Sequence, residues 1–376
     1  MNYKERIMIY PYDSNMTDVL RSNRFCDKYK EIYLCTMKGW GLVGNNPGIA
    51  DGGTLINEME VEDSFENCLK KVDTVVFVES DKELLKGKYV YPQMYTAASA
   101  RKNIIDLLEN NEIQEEIERY CIECEVNYSP FRRHDLNIEM NDHVKKEGLI
   151  ECNVPIVVVA GETVNSKKFA VEYGIKEELE NQGYNPILVG SKAYCEFLGD
   201  LSFPDFMLRH NINDIEQVLM FNRFINKIGK DADVIIIGIP GGIISCTDYL
   251  YGDFGILAYK VFQSINVDFF VFNVLYEEYY PSFFNEMQMF INKRFSTNVD
   301  VFNICNKHID WEKVETAKPR QIPFLSLTTE SIESEIKLMN RGNNTPIVSS
   351  GNISDMKEIV ELLVKKLEVE EKKIIF

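Results

Sequence analysis

Histidines and long hydrophobic runs are both scarce in this chain of 376 residues. It has only four histidines and neither a Gly-x-Ser-x-Gly nor a His-Glu-x-x-His motif, which excludes the serine hydrolases and zinc proteases built on those motifs. The longest apolar run, Val234 to Pro240, is far too short to cross a bilayer, and the first six residues do not resemble a signal peptide. We therefore predict a cytoplasmic protein with no membrane partner.

Positive charge is also in short supply. Lysine and arginine total 41 against 59 aspartates and glutamates, which gives a formal net charge of −18. A field of this sign repels phosphate backbones and anionic lipid surfaces. General nucleic-acid binding is therefore excluded.

The nine cysteines are scattered along the chain and odd in number. In a chain of this length, that pattern is typical of thiols kept reduced. Cys121 and Cys124 form a Cys-x-x-Cys pair on a predicted helix, where zinc or redox use competes with simple packing of one helix face. His134 and His143 lie outside the usual zinc spacing, so packing is favoured and no metal site is predicted.

Short, continuous apolar runs alternate with helical patterns along the chain. A parallel sheet covered on both faces requires such runs, because both sides of each strand are buried. The alternation therefore predicts an α/β fold with right-handed crossovers and doubly wound sheets. Strands are predicted at 7–10, 32–36, 74–78, 103–108, 155–160, 185–189, 233–239, 269–274, 299–304 and 346–348. Helices are predicted at 17–29, 62–72, 95–102, 113–125, 166–182, 214–228, 255–265, 281–295 and 354–367.

The alternating pattern breaks once, between residues 128 and 151, where the sequence becomes polar and irregular. A fresh buried strand then opens at Pro155. We predict two mainly parallel, three-layer α/β domains. They are a Rossmann-like domain at 1–130 and a degenerate phosphate-loop (P-loop) NTPase-like domain at 153–376, joined by a linker at 131–152.

The segment from Gly161 to Lys168 lies between a buried strand and a helix, where a phosphate-binding loop is found. The motif is Gly-x-x-x-x-Gly-Lys-[Ser/Thr]: glycines let amides curl round phosphate, the lysine reaches its oxygens and the hydroxyl holds magnesium. Gly161 and Lys167 fit. Ser166 replaces the second glycine and Lys168 replaces the hydroxyl residue, which leaves Thr163 or Ser166 as the candidate for the magnesium side.

Three interpretations of this loop stay open. It is a plain strand-to-helix turn with Ser166 as N-cap, a degenerate anion-binding loop, or the site of a working nucleoside triphosphatase. Glu162 counts against phosphate binding, because its carboxylate would repel phosphate from inside the loop.

Gly241 and Gly242 follow the most apolar strand of the chain and are further candidates for phosphate contact. The alternative is that they only let the chain turn close to a neighbouring helix. A nucleotide hydrolase needs a carboxylate at the end of such a strand to hold the metal. The nearby aspartates are badly placed for that role: Asp231 and Asp233 precede the strand, and Asp248 and Asp253 lie beyond the glycines.

A third loop, between Lys38 and Gly53, contains six glycines. A long glycine-rich loop on a rigid sheet is often a binding loop, and Trp40 would give it a large contact surface. The loop after the first strand would lie on the same edge of the sheet. We predict contact with a ligand or partner here, with a packed structural loop as the alternative. The candidate residues are Tyr12, Asp13, Trp40, Gly41, Asp51 and Gly52.

Five segments together resemble one family, the clostridial peptide-maturation-system proteins, and the resemblance extends over nearly the whole chain. They are Ile9–Ser14, Lys38–Leu42, Ala50–Gly53, Phe77–Ser80 and Ile235–Ile243. Such proteins are encoded beside small Cys-rich ribosomal peptides and a radical-SAM maturase. The resemblance implies a pathway, the maturation of a ribosomally synthesised peptide natural product such as a bacteriocin, and not a reaction.

The layout in two halves also resembles a broader group that joins a Rossmann-like domain to a phosphate-loop domain related to dethiobiotin synthetases. In that group the second domain binds ATP or GTP. The departures at Ser166 and Lys168, together with the missing carboxylate after the strand at 234–239, argue against hydrolysis in this chain.

Two main hypotheses follow. In the first, the chain is an accessory protein that binds the precursor peptide, the radical-SAM maturase or both, and its second domain is a scaffold or nucleotide sensor. In the second, it is an ATP- or GTP-dependent ligase or synthetase acting on the peptide or a small metabolite, with Lys167 on phosphate and Thr163 or Ser166 near Mg²⁺. A third reading is a small-metabolite binder in the first half. No catalytic residue is assigned, no cofactor is certain, and ATP or GTP with Mg²⁺ is the candidate.

Overall fold

The computed structural model describes most of the chain. The described residues are 4–56, 58–80, 85–109, 111–131, 142–244, 254–314, 322–328, 343–349 and 353–374, with 133, 136, 138, 332, 335–336 and 339–340. The strands are β1 (Arg6–Tyr10), β2 (Glu31–Cys35), β3 (Val61–Glu62), β4 (Thr74–Phe77), β5 (Asn103–Asp106), β6 (Tyr128–Pro130), β7 (Ile156–Gly161), β8 (Pro186–Gly190), β9 (Leu201–Ser202), β10 (Val234–Gly238), β11 (Phe269–Val274), β12 (Val301–Ile304), β13 (Lys307–Ile309), β14 (Phe324–Ser326) and β15 (Ile347–Val348). The α-helices are α1 (Thr17–Leu20), α2 (Asn23–Cys26), α3 (Pro47–Ala50), α4 (Phe65–Leu69), α5 (Lys86–Tyr89), α6 (Tyr91–Ser99), α7 (Gln114–Glu123), α8 (Asp142–Glu147), α9 (Lys168–Asn181), α10 (Cys195–Leu198), α11 (Asp214–Ile228), α12 (Ile256–Ser264), α13 (Phe283–Phe295), α14 (Trp311–Val314) and α15 (Ile353–Ile374).

The chain divides into two compact units. The first comprises residues 1–132 with 196–198, and the second comprises 133–195 with 199–376. Of the stretch predicted as a linker at 131–152, residues 133–152 group with the second unit and include the short helix α8.

The first unit is built on a six-stranded parallel sheet in the order β3-β2-β1-β4-β5-β6. That order is the one found in doubly wound dinucleotide-binding folds, in which the strand order reverses between the two central strands, here β1 and β4. Strand β4 is buried at all four positions, because helices cover both faces of the sheet. The predicted α/β class is confirmed for this unit.

The second unit is built on a seven-stranded sheet in the order β15-β12-β11-β7-β10-β8-β9, and every neighbouring pair is parallel. Strand β7 lies in the middle and is buried at all six positions, because β10 and β11 flank it and apolar side chains pack on both faces. Strands β13 and β14 form a separate antiparallel pair. The predicted α/β class is confirmed for this unit as well, and the carboxyl end of β7 leads directly into the candidate phosphate loop.

Several element boundaries differ from the predicted ones for local reasons. The helix predicted at 17–29 is two short helices, because Ser22 accepts a hydrogen bond from the Phe25 amide and starts a new helix there. Glu62, predicted as the first residue of a helix, ends the edge strand β3, and the helix begins at Phe65. Helix α9 ends as predicted, with Gly183 just beyond it at a φ of +91°. Within the described residues, no helix combines the length and apolar character needed to cross a bilayer.

Candidate functional site

The loop at 162–167 connects the central strand of the second unit to the long helix α9 and is packed tightly against itself. Gly161 ends β7, and a Cβ atom on it would collide with the Ser166 hydroxyl. Ser166 is fully buried, and its hydroxyl donates to the Thr163 carbonyl at 3.0 Å. The Thr163 hydroxyl accepts from the Asn165 amide at 3.2 Å. Both hydroxyls that were candidates for the magnesium side therefore have hydrogen bonds within the loop.

The two lysines at the end of the loop have different environments. Lys167 is partly exposed and has left-handed backbone angles, with φ at 52° and ψ at 34°. Lys168 is the first residue of α9 and is only 4% exposed. Its ammonium group folds back over the loop and donates to the carbonyls of Thr163 at 2.8 Å and Val164 at 3.3 Å. The sequence motif pointed to Lys167 as the phosphate contact, but it is the Lys168 ammonium that lies against the loop.

Gly242, in the turn after β10, packs against this loop, and phosphate contact by Gly241 and Gly242 stays a prediction. Gly241 has a φ of +78°. A Cβ on Gly242 would lie 2.5 Å from the Glu162 carbonyl oxygen, so only glycine fits there without displacement of the backbone. The Ile243 amide donates to the Gly161 carbonyl at 3.0 Å.

The aspartates considered as metal ligands do not reach the loop in the described part of the chain. Asp231 and Asp233 lie at the amino end of β10, where the Asp233 carboxylate accepts from the Asn185 amide at 2.8 Å. This placement agrees with their predicted position at the wrong end of the strand. Asp248 and Asp253 lie outside the described residues.

A buried carboxyl group at the end of β10 comes from a residue that the motif search missed. Glu172, one turn after Lys168 on α9, is fully buried beside Gly238 and accepts from the Ser191 amide at 2.9 Å. Burial raises the pKa of the Glu172 carboxyl to about 7, against the lowering effect of Lys168. Its second oxygen, Oε1, has no hydrogen-bond partner among the described residues.

The sequence did contain a signal for Glu172. Charged residues recur every fourth position along α9, at Lys168, Glu172, Lys176 and Glu180, and the first three of these are buried. A stripe of charged residues usually marks the solvent-exposed face of a helix. In α9 the positions next to these charged residues are apolar, which indicates that the charged face is buried as well. Lys176 forms a buried ion pair with Asp200 at 2.5 Å.

Two residues from neighbouring elements complete the surroundings of the loop. Asn273, whose register partner on β7 is Gly161, is fully buried and donates its side-chain amide to the Ser166 carbonyl at 3.0 Å. The Glu162 carboxylate accepts from the Leu275 amide at 3.1 Å. Burial raises the pKa of Glu162 to about 7. Its carboxylate is therefore held against the chain after β11, and the expected repulsion from inside the loop does not follow.

In the first unit, three of the candidate residues are buried and stabilise the loops that carry them. The Tyr12 hydroxyl lies 2.8 Å from the Thr17 hydroxyl, and burial raises its pKa above the usual value. Asp13 accepts from the Ser80 hydroxyl at 2.6 Å and from the Asn15 amide at 2.9 Å. Side chains this deeply buried do not reach a partner at the surface.

Asp51 has the same structural role in the glycine-rich loop. It is 1% exposed and pairs with Arg21 at 2.7 Å, and Arg21 also donates to the Thr54 carbonyl at 3.0 Å. Asn46 adds a second clamp, because its side-chain oxygen accepts from the amides of Gly48 and Ile56 at 2.9 and 3.0 Å. Sequence reasoning missed both Arg21 and Asn46.

The surface of the glycine-rich loop is formed by other residues. Gly41 is exposed, while Trp40 and Gly52 are partly exposed; Gly41 and Gly52 have φ values of +75° and +76°. Apolar side chains also lie on this surface, with Ile49 55% and Leu55 69% exposed. The loop therefore has a fixed interior, and apolar side chains are among its exposed residues.

The cysteines follow the packing interpretation where the structure describes them. Cys121 is buried on the inner face of α7, and burial raises its pKa to about 11. Within the described ranges no disulfide is formed, and no three His, Cys, Asp or Glu side chains are grouped as metal ligands.

Comparison with known proteins supports the fold. No protein-family model matches the chain, and no curated protein matches it. The chain is similar in structure to a DUF1611 family protein from Anabaena variabilis, with a TM-score of 0.63 at 9% sequence identity over 97% of this chain and 99% of the other. A GTPase from Pyrococcus abyssi in its apo form gives a TM-score of 0.32 at 15% identity, over 57% of this chain and 97% of the other. The signal recognition particle receptor FtsY from Elizabethkingia anophelis gives 0.33 at 12% identity, over 80% and 91%. The first likeness concerns the fold alone.

Proposed function

We propose that this chain is a binding protein that holds a phosphate-bearing ligand, with ATP or GTP as the candidates, at the loop between β7 and α9. The observation that carries the proposal is the buried ammonium of Lys168, 2.8 Å from the Thr163 carbonyl. It places a positive charge at the N-terminal end of a 14-residue helix, where the backbone amides of the first turn already attract anions.

The same loop is poorly equipped for hydrolysis. The hydroxyls of Thr163 and Ser166 have hydrogen bonds within the loop. The carboxyl group at the end of β10, that of Glu172, has its pKa raised to about 7, so a large fraction is protonated near neutral pH and is a poor ligand for magnesium. Binding without turnover is what this combination supports.

For the biological role, we propose an accessory protein in the maturation of a ribosomally synthesised peptide. The support is the resemblance of five segments to peptide-maturation proteins and the apolar surface of the glycine-rich loop, on which Ile49 and Leu55 are exposed. Apolar patches with a rigid support are typical of protein-binding surfaces. The partner is the precursor peptide or its radical-SAM maturase.

Ligand binding is tested by thermal unfolding of the full chain with ATP, GTP and inorganic phosphate. A ligand at a hundredfold excess over its Kd stabilises the folded state by about 2.7 kcal/mol. We expect such a shift in the wild type and in Lys230→Ala, a change at an exposed lysine near the opposite end of β10. An unchanged melting temperature with all three probes would refute the proposed ligand class.

The partner is tested by pull-down with a Cys-rich precursor peptide and a radical-SAM maturase of the family that the five segments resemble. We expect the double variant Ile49→Ser and Leu55→Ser to lose capture, because both side chains are exposed on the loop, while the exposed-residue control Ile215→Ser retains it. Equal capture by all three proteins would place the interface elsewhere, and no capture by the wild type would remove the role.

A second candidate function, an ATP- or GTP-dependent ligase or synthetase, is favoured by one observation. Glu172 has a pKa near neutrality, the range in which a general acid or base is most effective, and its Oε1 has no hydrogen-bond partner among the described residues. Release of phosphate or pyrophosphate from ATP in the presence of the peptide, abolished in Glu172→Gln, would support it. Nucleotide binding with no release would favour the binding protein.

A further inference from the structure

We propose that the loop holds phosphate through Lys168 and not Lys167, and that it does so without a divalent cation. This inference rests on the proposed function, because it concerns how the loop between β7 and α9 would bind its ligand. The phosphate-binding lysine lies one position later than the sequence motif predicts. The ligand that fits the site is then the form without magnesium.

The backbone supports the shift of one residue. In the phosphate-loop motif, a glycine precedes the lysine and supplies conformational freedom just before the helix. In this chain the residue with a positive φ just before the helix is Lys167, at +52°, and the helix begins at Lys168. Lys167 therefore occupies the position of the motif's second glycine, and Lys168 that of its lysine.

The side chains support the same shift. The Lys168 ammonium reaches back to the carbonyls of Thr163 and Val164 at 2.8 and 3.3 Å, so its charge is fixed against the loop. Lys167 is partly exposed at the left-handed turn. A charge that is already fixed and shielded from bulk water interacts with an anion more strongly than a solvated one.

With this register, the position of the magnesium-binding hydroxyl is taken by an aromatic ring. Phe169 follows Lys168 and is 2% exposed, stacked on Tyr173 with ring centroids 5.8 Å apart and edge-on to Tyr194 at 4.8 Å. Phenylalanine has no oxygen to offer a metal. Magnesium, which the fold would ordinarily require here, does not fit these residues.

A second, independent observation lies one turn further along the same face of α9. Glu172 Oε1 is fully buried and has no hydrogen-bond partner in the part of the chain that the structure describes. A carboxyl group in this state favours its protonated form, and burial does raise its pKa to about 7. In the protonated form it adds no negative charge beside Lys168, which suits an anion that arrives without its metal.

The ligand class is therefore a phosphate-bearing anion free of magnesium, such as ATP, GTP, pyrophosphate or inorganic phosphate. A magnesium complex carries less negative charge and would lose part of the attraction to Lys168. Chelation of magnesium is then expected to strengthen binding, whereas a conventional nucleotide hydrolase would lose it.

The test is isothermal titration calorimetry of the full chain with ATP, pyrophosphate and inorganic phosphate, each in excess EDTA and in excess MgCl₂. We expect at least one probe to bind the wild type more tightly in EDTA than in MgCl₂. Binding that is as tight or tighter in MgCl₂, or that appears only there, would overturn the inference while leaving the proposed function intact. Absence of binding under both conditions would refute the proposed function itself.

A pair of variants tests the lysine assignment. Lys168→Met keeps most of the buried side-chain volume and removes the charge, and we expect at least a tenfold loss of affinity. Lys167→Gly supplies the residue that the left-handed turn prefers, and we expect affinity within threefold of the wild type. Circular dichroism checks that Lys168→Met is folded, and Lys167→Gly together with the magnesium comparison tests the assignment independently of that variant. A tenfold loss in Lys167→Gly would overturn the assignment.

Discussion

At the scale of single residues, the left-handed backbone of Lys167 is the clearest departure from ordinary chain geometry near the site. Its φ of +52° is rare for a residue with a side chain and costs about 1–2 kcal/mol relative to the right-handed form. The sequence spacing does not signal this angle, because counting from Gly161 places the motif's second glycine at Ser166, one residue before the left-handed turn.

Replacement of Lys167 by glycine is therefore expected to stabilise the protein by about 1 kcal/mol, since glycine adopts this conformation without strain. Urea unfolding measures the change. The matched control is Lys227→Gly, at an exposed position within α11, which we expect to destabilise by about 1 kcal/mol. Loss of stability in Lys167→Gly would mean that the lysine side chain contributes more than its backbone strain removes.

The buried carboxyl group of Glu172 makes the stability of the protein depend on pH. Its pKa is near 4.5 in an unfolded chain and about 7 in the folded one, so folding favours the protonated form. The contribution of this carboxyl group to the stability of the folded state is complete below pH 4.5 and is lost as the pH rises through 7.

Glu172→Gln is expected to remove this dependence. As the pH rises from 5 to 8, the free energy of unfolding of the wild type should fall by roughly 1–3 kcal/mol relative to that of the variant. Urea titration at each pH measures both values. Glu358→Gln, at an exposed position of α15, is the control. Its free energy of unfolding should differ from that of the wild type by the same amount at every pH. A constant difference for Glu172→Gln as well would show that this carboxyl does not titrate in the range.

At the scale of elements, long buried strands and the helices between them could be predicted, and so could the short edge strand β15, whereas the edge strands β3, β6 and β9 and the hairpin of β13 and β14 could not. The strand at β11 and the helix at α11 have the predicted bounds, because their apolar pattern is long and continuous. Strands β3 and β9 have only two residues each, too few for any periodicity. Their pairing depends on neighbours distant in sequence.

The candidate site was predictable to a similar extent. The meeting of the loops at Gly161 and Gly242 followed from the rule that carboxyl ends of parallel strands share one edge. The buried positions of Lys168 and Glu172 did not follow from the motif, because they depend on which face of α9 meets the sheet. The four-residue spacing of charges along α9 was the one available signal.

A single arginine, Arg21, connects the glycine-rich loop to a neighbouring helix. Arg21 joins it to α1 through Asp51 at 2.7 Å and Thr54 at 3.0 Å, and the carboxylate of Asp51 is almost fully buried. Arg21→Ala leaves that carboxylate without its ion-pair partner and should speed amide hydrogen exchange at residues 46–56 at least tenfold. Arg24→Ala, in the neighbouring helix α2, is the control. Unchanged exchange in Arg21→Ala would show that Asn46 alone holds the loop.

At the scale of the whole molecule, a net charge of −18 constrains the partner more than the fold does. A surface of this sign attracts cationic segments over distances of about 10 Å at moderate salt and repels acidic ones. A peptide or maturase that docks here should therefore present lysine or arginine near its contact.

Capture of that partner is expected to weaken at least fivefold between 50 mM and 500 mM sodium chloride, since salt screens this attraction. Surface plasmon resonance with the full chain immobilised measures the affinity, and most of the loss should lie in the association rate. Affinity that rises with salt would indicate a contact dominated by apolar burial.

The central place of β7 has a consequence for biosynthesis. The Ile156 amide is held by Asp268, 112 residues later, and β10 and β11 both follow β7 in the chain. During translation this apolar strand leaves the ribosome long before either neighbouring strand has been synthesised. Pairing between strands so far apart in the sequence is slow. Overproduction at reduced temperature or with added chaperones should thus raise the recovered soluble yield.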